Sequence, residues 1–221
     1  MEPIKAFVVT RNMTYTLKNT VEFLKKEPRV EITIIDNDST YEPTLNYYNE
    51  IPDINIHCVC HNGGPYVLWH AVPHLKNDNF FIVTDSDCTY NVPEDWLDKM
   101  LHALNNSNYY KVGFSLEIDD IPDTKVGTEA KNWERQFWSN PDHELNGLRA
   151  NIDTTFALYR PKSGFDYGPS LRLNRPYVIR HEPWYLDENN ITEDWKYYYK
   201  NATTSSYWGN RLKAHEVVKI D

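Results

Sequence analysis

Hydrophobic residues in the first part of the chain form short β-rich runs that alternate with segments of helical period. Residues 4–10 form the first run, and the helical pattern over 15–26 repeats Leu17, Val21 and Leu24 on one side. The run over 30–35 is the next predicted strand. The opening of the chain therefore predicts a β-α-β unit.

The same alternation continues along the next hundred residues. Further strands are predicted over 55–60, 80–84, 111–118 and 154–159, and further helices over 66–75 and 96–104. Pro73 should bend or shorten the first of these helices. Such alternation favours a mostly parallel sheet with helices on both faces. From Pro161 onward the period is weak, so we expect loops that wrap over the sheet and one helix between 193 and 199.

Composition narrows the class of protein. The 221 residues are 40% hydrophobic and contain no linker or repeat, which favours a single domain over residues 1–221. The net charge is −9 and basic residues are not clustered, which argues against a nucleic-acid partner. No long apolar segment predicts a signal peptide or a transmembrane helix, and the three cysteines are odd in number. We therefore expect a cytoplasmic protein.

Polar clusters follow four of the predicted strands. They are Thr10-Arg11-Asn12, Asp36 to Thr40, Asn62-Gly63-Gly64 and Asp85-Ser86-Asp87. Ligands of open parallel α/β sheets bind beyond the carboxyl ends of the strands, so the clusters predict one shared crevice. Asp85 and Asp87 are two residues apart behind an apolar strand and can face one hard cation, although an isolated pair of this kind is also common in simple turns.

In order and spacing, three of these clusters resemble motifs of nucleotide-sugar-dependent glycosyltransferases with the GT-A fold, particularly family 2-like members. The motifs are Thr10-Arg11-Asn12, Asp36-Asn37-Asp38-Ser39-Thr40 and Asp85-Ser86-Asp87. Asn37 and Asp38 depart from the pattern, since many relatives have Asp and Gly there. The resemblance implies an α/β fold with a mostly parallel central sheet flanked by helices. It also implies a nucleotide-binding half, residues 1–105, and a loop-rich acceptor-binding half, residues 106–221.

The resemblance also implies roles for individual residues at the donor site. Asp36 would accept a hydrogen bond from the nucleobase, most naturally from the uracil N3–H, and Thr10, Arg11, Asn12 and Ser39 would line the nucleoside pocket. Asn62, Gly63, Gly64 and Ser86 would touch the donor. Asp85 would contact the ribose or a metal-bound water, and Asp87 would ligate Mn²⁺ or Mg²⁺. A simple Asx turn is the alternative for Asp36, and a tight turn is the alternative for the glycines.

An inverting transfer also needs a general base on the acceptor side. The candidates are Glu117, Asp119, Asp120, Asp153 and Glu182, and we favour Asp153 because a polar loop end enters an apolar strand there. His181 is the candidate third metal ligand, Arg180 the candidate partner of the diphosphate, and Trp184 and Tyr185 the candidate acceptor platform. Trp133 and Trp138 are interpreted as part of a lid.

We therefore expect a metal-dependent glycosyltransferase that moves a hexose or deoxyhexose from a UDP-sugar to a glycan or another hydroxyl acceptor, with inversion. One alternative is a non-catalytic module that binds nucleotides or carbohydrates. Another is a sugar nucleotidyltransferase, although the Gly-rich basic loop usual after its first strand is missing. An oxidoreductase is disfavoured because no Gly-x-Gly-x-x-Gly follows the first strand.

Overall fold

The computed structural model describes residues 2–70, 79–165, 168–187, 189–206 and 210–211. The strands are β1 (Ile4–Thr10), β2 (Val30–Asn37), β3 (Asn55–Val59), β4 (Phe81–Asp85), β5 (Cys88–Thr89), β6 (Lys111–Leu116), β7 (Pro141–Asp142), β8 (Gly147–Arg149), β9 (Phe156–Tyr159) and β10 (Ser170–His181). The helices are α1 (Tyr15–Lys25), α2 (Glu42–Glu50), α3 (Val67–His70), α4 (Trp96–Asn105), α5 (Lys125–Glu134) and α6 (Glu193–Lys200). Single 3-10 segments cover Arg135–Trp138 and Glu182–Tyr185.

All of the described strands belong to one continuous sheet. The order is β3-β2-β1-β4-β9-β6-β10-β8-β7, and β5 pairs with β10. Strands β1 to β4 are parallel to one another, as are β6 and β10, whereas β9 runs antiparallel between β4 and β6. Because Thr84 near the end of β4 lies opposite Phe156 at the start of β9, the segment before β9 reaches the carboxyl edge of the parallel strands.

The core lies on both faces of this sheet. On one face, Val8 and Ile34 pack in the same cluster as Leu17 of α1 and Leu97 of α4. On the other face, a second cluster includes Phe7, Val9 and Ile35 together with Val67 and Leu68 of α3. Neighbouring strand residues point to opposite faces, so both sides of β1 are apolar. The predicted α/β fold, with a mostly parallel sheet between helices, is confirmed.

Several elements of the structure were not predicted, among them the short strands β5, β7 and β8. Helices α2 and α5 were not predicted because each buries only a few apolar side chains, among them Tyr47 in α2 and Val126 in α5. After Pro161 we expected loops, but the chain forms the long strand β10. The strand was not predicted because a register shift between Leu173 and Val178 interrupts its alternation of apolar and polar residues. Residues 71–75 of the predicted helix over 66–75, including Pro73, lie outside the described residues.

Candidate active site

The loops after β1 and β2 are joined through Asn12. This residue has a positive φ of 56°, an arrangement that Asn tolerates better than most residues. Its Oδ1 accepts hydrogen bonds from the backbone N–H groups of Thr40 at 2.6 Å and Tyr41 at 2.9 Å. The backbone N–H of Asn12 donates to Ser39 Oγ at 2.9 Å. The first two sequence motifs are thus held together at the carboxyl edge of the sheet.

Asp36 forms a turn at the end of β2. Its Oδ1 accepts from the N–H of Ser39 at 2.7 Å, and its Oδ2 accepts from the hydroxyl of Tyr48 at 2.7 Å. Burial, and secondarily the charge of Asp36, raise the pKa of Tyr48, so the tyrosine remains a donor. The Asx turn considered in the sequence analysis is present. Each carboxylate oxygen has a second lone pair, so the turn is compatible with a further N–H donor.

Asn37 connects β2 to the glycine loop, which we define as residues 61–64. Its Oδ1 accepts from the N–H of Gly63 at 2.8 Å, and its Nδ2 donates to the carbonyl of Gly64 at 3.1 Å. Gly64 has a φ of 72°, which favours glycine. The departure from the family motif at Asn37 therefore has a structural role, since the amide side chain both donates and accepts.

The acid pair follows β4 at the centre of the edge. Ser86 Oγ donates to Thr10 Oγ1 at 2.9 Å, which joins the third motif to the first. The N–H of Asp85 donates to the carbonyl of Thr154 at 3.0 Å, and the Thr154 hydroxyl donates back to the Asp85 carboxylate. Burial, and then the charge of Asp87, raise the pKa of Asp85 well above its usual range. A bound cation would relieve both effects.

His181 lies beside Asp87. Its Nε2 is 3.3 Å from Asp87 Oδ2, because the end of β10 pairs with Cys88 of β5 directly after the acid pair. The other oxygen, Asp87 Oδ1, is buried and has no hydrogen-bond partner among the described residues. Carboxylate and imidazole are both ligands for Mn²⁺, so this pair fits a divalent cation.

The protein side chains do not enclose such a cation completely. Within the described parts of the chain, no group of three His, Cys, Asp or Glu side chains has the geometry of a metal site. A divalent cation at Asp87 and His181 would need further oxygen ligands. Water and phosphate oxygens are the usual ones in open sites of this kind.

Asp153 lies next to the acid pair through its neighbour Thr154. It is exposed, and its charge contributes to the raised pKa of Asp85. Among the described residues it forms no hydrogen bond or ion pair, which leaves its carboxylate available. The four rival candidates for the base each have a side-chain partner. Glu117 and Asp119 both pair with Arg175, each at 2.6 Å. Asp120 accepts from the Nε of Arg180 at 2.8 Å, and Glu182 accepts from the hydroxyl of Thr89.

Comparison with known families decides the class of this site. The model of glycosyl transferase family 2 matches residues 6–164, which is more than half of the chain. The chain belongs to this family. It is therefore a glycosyltransferase, and the matched region contains the glycine loop, the acid pair and Asp153. A comparison with curated proteins gives no match.

Solved structures show the same fold at low sequence identity. The mannosyltransferase PcManGT from Pyrobaculum calidifontis, in complex with GDP-Man and Mn²⁺, has a TM-score of 0.54 and 11% identity, covering 100% of this chain and 77% of that one. Residues 1–349 of TarS from S. aureus have a TM-score of 0.54 and 12% identity, covering 96% and 70%. TarS in complex with UDP-GlcNAc has a TM-score of 0.54 and 11% identity, covering 95% and 70%. These likenesses show the GT-A fold of the glycosyltransferase.

Arg180 at the end of β10 and Trp184 just after it are not placed as the sequence analysis expected. Arg180 neighbours His181 in an alternating strand and pairs with Asp120, so the structure does not bring Arg180 to the acid pair. Trp184 is only 4% exposed and packs edge-on against His181 at 4.9 Å. The side chain of Trp184 is therefore almost entirely covered by the protein, and its role in an acceptor platform stays a prediction. Tyr185 is partly buried and donates to Asp120 at 2.7 Å.

The C-terminal part of the glycosyltransferase covers the crevice from outside. Arg11 Nη1 donates to the carbonyl of Asn201 at 3.3 Å, and Asn62 Nδ2 donates to Thr203 Oγ1 at 2.9 Å. Tyr198 of α6 is partly buried; burial raises its pKa to about 12, and the charges of Asp87 and Asp85 add to the rise while Arg11 lowers it. Arg11 directly follows Thr10, whose hydroxyl accepts from Ser86 between the two acids, whereas Arg180 pairs with Asp120.

The sequence analysis missed several polar residues that build this site. They are Tyr48, Lys111, Glu134, Arg172 and Tyr198, while Asn37 was noted only as a departure from the motif. Lys111 was the one with a visible signal, because it is a charged residue at the head of an apolar strand. The others lie in elements that were not predicted or on faces that only tertiary contacts define.

No helix in the described ranges is long and apolar enough to cross a membrane.

Proposed function

We propose that this glycosyltransferase is metal-dependent and moves a hexose or deoxyhexose from a UDP-sugar to a glycan or another hydroxyl acceptor, with inversion. The observation that carries the proposal is the Asp87–His181 pair, with the buried Asp87 Oδ1 that lacks a partner among the described residues. The solved GT-A structures with Mn²⁺, GDP-Man and UDP-GlcNAc support this type of donor and metal.

In this mechanism Asp87 and His181 would hold Mn²⁺ or Mg²⁺, with Asp85 as the second acid of the pair. When bound, the cation would neutralise charge on the diphosphate leaving group. Arg11 is the basic side chain that we assign to this role, since it directly follows Thr10, which accepts a hydrogen bond from Ser86 between the two acids. The overall charge of −9 repels an anionic donor, so local cations are needed for binding.

The nucleoside half of the donor would bind at the ends of β1 and β2. Asp36 accepts from the uracil N3–H, and Thr10, Asn12 and Ser39 shape the pocket around it. The glycine loop, through Asn62, Gly63 and Gly64, and Ser86 complete the donor site. We assign donor binding to residues 1–105 and acceptor binding to residues 106–221. The free thiols of Cys58, Cys60 and Cys88 suit a reaction in the reducing cytoplasm.

Asp153 is the proposed general base. It is exposed at the carboxyl edge of the sheet, next to Thr154, which donates a hydrogen bond to Asp85. An acceptor hydroxyl can therefore approach Asp153 from solvent while the diphosphate lies at Asp87. Removal of the acceptor proton during attack on the face opposite the leaving group gives a single displacement, and hence inversion. Tyr185, partly buried at the same end of β10, stays a candidate acceptor contact.

Calorimetric titration of UDP with and without Mn²⁺ tests the donor site. Binding should require Mn²⁺, and Asp87→Asn and His181→Ala should each weaken it at least tenfold. Asp119→Asn is the matched control, because Asp119 is an exposed acid beyond another strand end. If UDP does not bind, titration of GDP decides whether the nucleotide was misassigned; failure of both nucleotides would refute the proposal.

Transfer assays separate the enzyme from a binding module. Asp153→Asn should bind UDP with Mn²⁺ like the wild type but lose transfer and donor hydrolysis by at least a hundredfold. Normal transfer by Asp153→Asn would refute the base assignment alone. A wild type that binds UDP and Mn²⁺ but neither transfers nor hydrolyses any UDP-sugar would favour the non-catalytic alternative.

A further inference from the structure

Residues 150–155, which we call the acid loop, carry Asp153 and form neither helix nor strand. Three consecutive carbonyls of this loop accept hydrogen bonds from side chains of the neighbouring strands. The bonds run from Ser170 Oγ to Ala150 at 2.8 Å, from Arg172 Nε to Asn151 at 2.7 Å and from Lys111 Nζ to Ile152 at 2.8 Å. The residue that follows these three carbonyls is Asp153.

The other end of the acid loop is bound to β4. The hydroxyl of Thr84 donates to the carbonyl of Thr155 at 2.5 Å, and Thr154 exchanges two hydrogen bonds with Asp85. Asp153 is thus an exposed residue between anchored neighbours on both sides. A loop fixed in this way restricts where its one exposed carboxylate can lie.

Two of the three donors to the loop, Lys111 and Arg172, are charged and buried. Lys111 is 1% exposed, Arg172 is 4% exposed, and Arg172 forms an ion pair with Glu134, which is 2% exposed. The Arg172 guanidinium also lies over the ring of Phe137 at 4.4 Å. Charges are costly to bury, and a well-packed apolar pair is often at least as stable as a buried ion pair. Stability alone therefore does not account for these residues.

The charge of Asp153 also acts on this group. Burial lowers the pKa of Arg172, and the charges of Glu134 and Asp153 act against this change; burial raises the pKa of Glu134 to about 7, and the charge of Asp153 adds to the rise. Geometrically, Arg172 Nε binds the carbonyl of Asn151, two residues before Asp153, so the guanidinium holds the backbone that leads to Asp153.

We propose that Lys111 and the Arg172–Glu134 pair are positioning residues, which hold the acid loop so that Asp153 faces the donor at Asp87. This inference rests on the proposed role of Asp153. Arg172 and Lys111 act through the loop backbone and need not touch substrate. A catalytic group displaced by about 1 Å typically loses on the order of a hundredfold in rate, so loosening the loop should lower turnover rather than donor binding.

The test uses Arg172→Met and Lys111→Met in the full chain. We expect kcat for sugar transfer to fall by roughly 10- to 100-fold, while KM for the donor and the Kd for UDP with Mn²⁺ change less than about threefold. Hydrogen exchange of the acid-loop amides should become faster in both variants. Arg172→Lys, which keeps a charged donor near Asn151, should recover part of the lost kcat.

Arg160→Met is the matched control. Arg160 follows β9 at its other end, and its guanidinium also binds backbone carbonyls, those of Leu104, Ser107 and Tyr109. Its loss should lower the melting temperature but leave kcat and acid-loop exchange unchanged. If Arg172→Met does not fold, the same assays use the double variant Arg172→Met with Glu134→Leu. This variant removes both buried charges, so neither is left without its partner.

Three results would overturn the inference. The first is unchanged acid-loop exchange in the Arg172 and Lys111 variants. The second is faster exchange with wild-type kcat, which would leave the residues a purely structural role. The third is an equal fall of kcat in Arg160→Met. In each of these cases the proposed function still stands if the wild type transfers sugar. If the wild type does not transfer sugar, or if Asp153→Asn does, the assignment of Asp153 is refuted, and the positioning role is refuted with it.

Discussion

Asp194 should contribute strongly to stability, although it lies in the C-terminal helix and far in sequence from its partners. Its Oδ2 accepts hydrogen bonds from the N–H groups of Thr14 and Tyr15, both at 2.6 Å. These groups begin α1, whose own N-cap residue Thr14 makes no side-chain cap. Asp194 therefore caps α1 from another element and attaches α6 to the loop that carries Arg11.

The size of the effect follows from these contacts. Asp194 is 8% exposed, so Asp194→Ala leaves two backbone donors that water reaches poorly. The loss of an N-cap costs about 0.5–2 kcal/mol, and charge-assisted bonds lie at the upper end of the usual range. We expect Asp194→Ala to lower the free energy of unfolding by about 2–3 kcal/mol. Asp194→Asn should cost about 1 kcal/mol, because an amide oxygen still accepts but lacks the charge that favours a helix N-terminus.

Urea unfolding followed by circular dichroism measures these differences, and the m-value should not change. For a chain of this length the Asp194→Ala loss corresponds to a melting temperature lower by roughly 5–10 °C. Glu193→Ala is the control, because Glu193 is the neighbouring acid of α6 and its side chain is 76% exposed. It should cost less than about 0.5 kcal/mol. Equal losses in the two alanine variants, or a loss below about 0.5 kcal/mol for Asp194→Ala, would refute the capping argument.

Three further predictions concern Glu134, Gly113 and Asn37. Burial raises the pKa of Glu134 to about 7, so the protonated side chain contributes fully to stability below about pH 4.5, and this contribution is lost as the pH rises through 7. Urea titrations at each pH should show that the wild type loses on the order of 2–3 kcal/mol of unfolding free energy over this window relative to Glu134→Gln. Gly113→Ala should prevent soluble expression or cost more than about 3 kcal/mol, since its Cβ would lie 2.1 Å from the backbone oxygen of Phe156; wild-type thermal stability would contradict this. Asn37→Ala removes both bonds to the glycine loop and should speed amide exchange there and weaken UDP binding about tenfold, and unchanged exchange would contradict it.

Local sequence patterns were sufficient to predict the first four parallel strands and the edge of the sheet at which the site lies. The apolar run before Asp85 had to be a buried strand, and polar residues directly after such strands share one edge in a parallel sheet. The motifs around Thr10, Asp36 and Asp85 could therefore be placed together from local patterns alone. Helix α5 could not be predicted in the same way, because few of its residues are apolar.

The amino-acid sequence by itself determined the α/β class, the parallel core around β1 and the strand ends that carry the acid pair, because hydrophobic period and strand-end chemistry are local properties. Only the tertiary structure decided that β9 runs antiparallel between β4 and β6 and brings Asp153 to Asp85. It alone also showed that His181 lies 3.3 Å from Asp87 while Arg180 pairs with Asp120, since both contacts depend on how the end of β10 is paired. Pairing of this kind joins residues many positions apart, and it is set by the packing of the whole sheet rather than by any short segment.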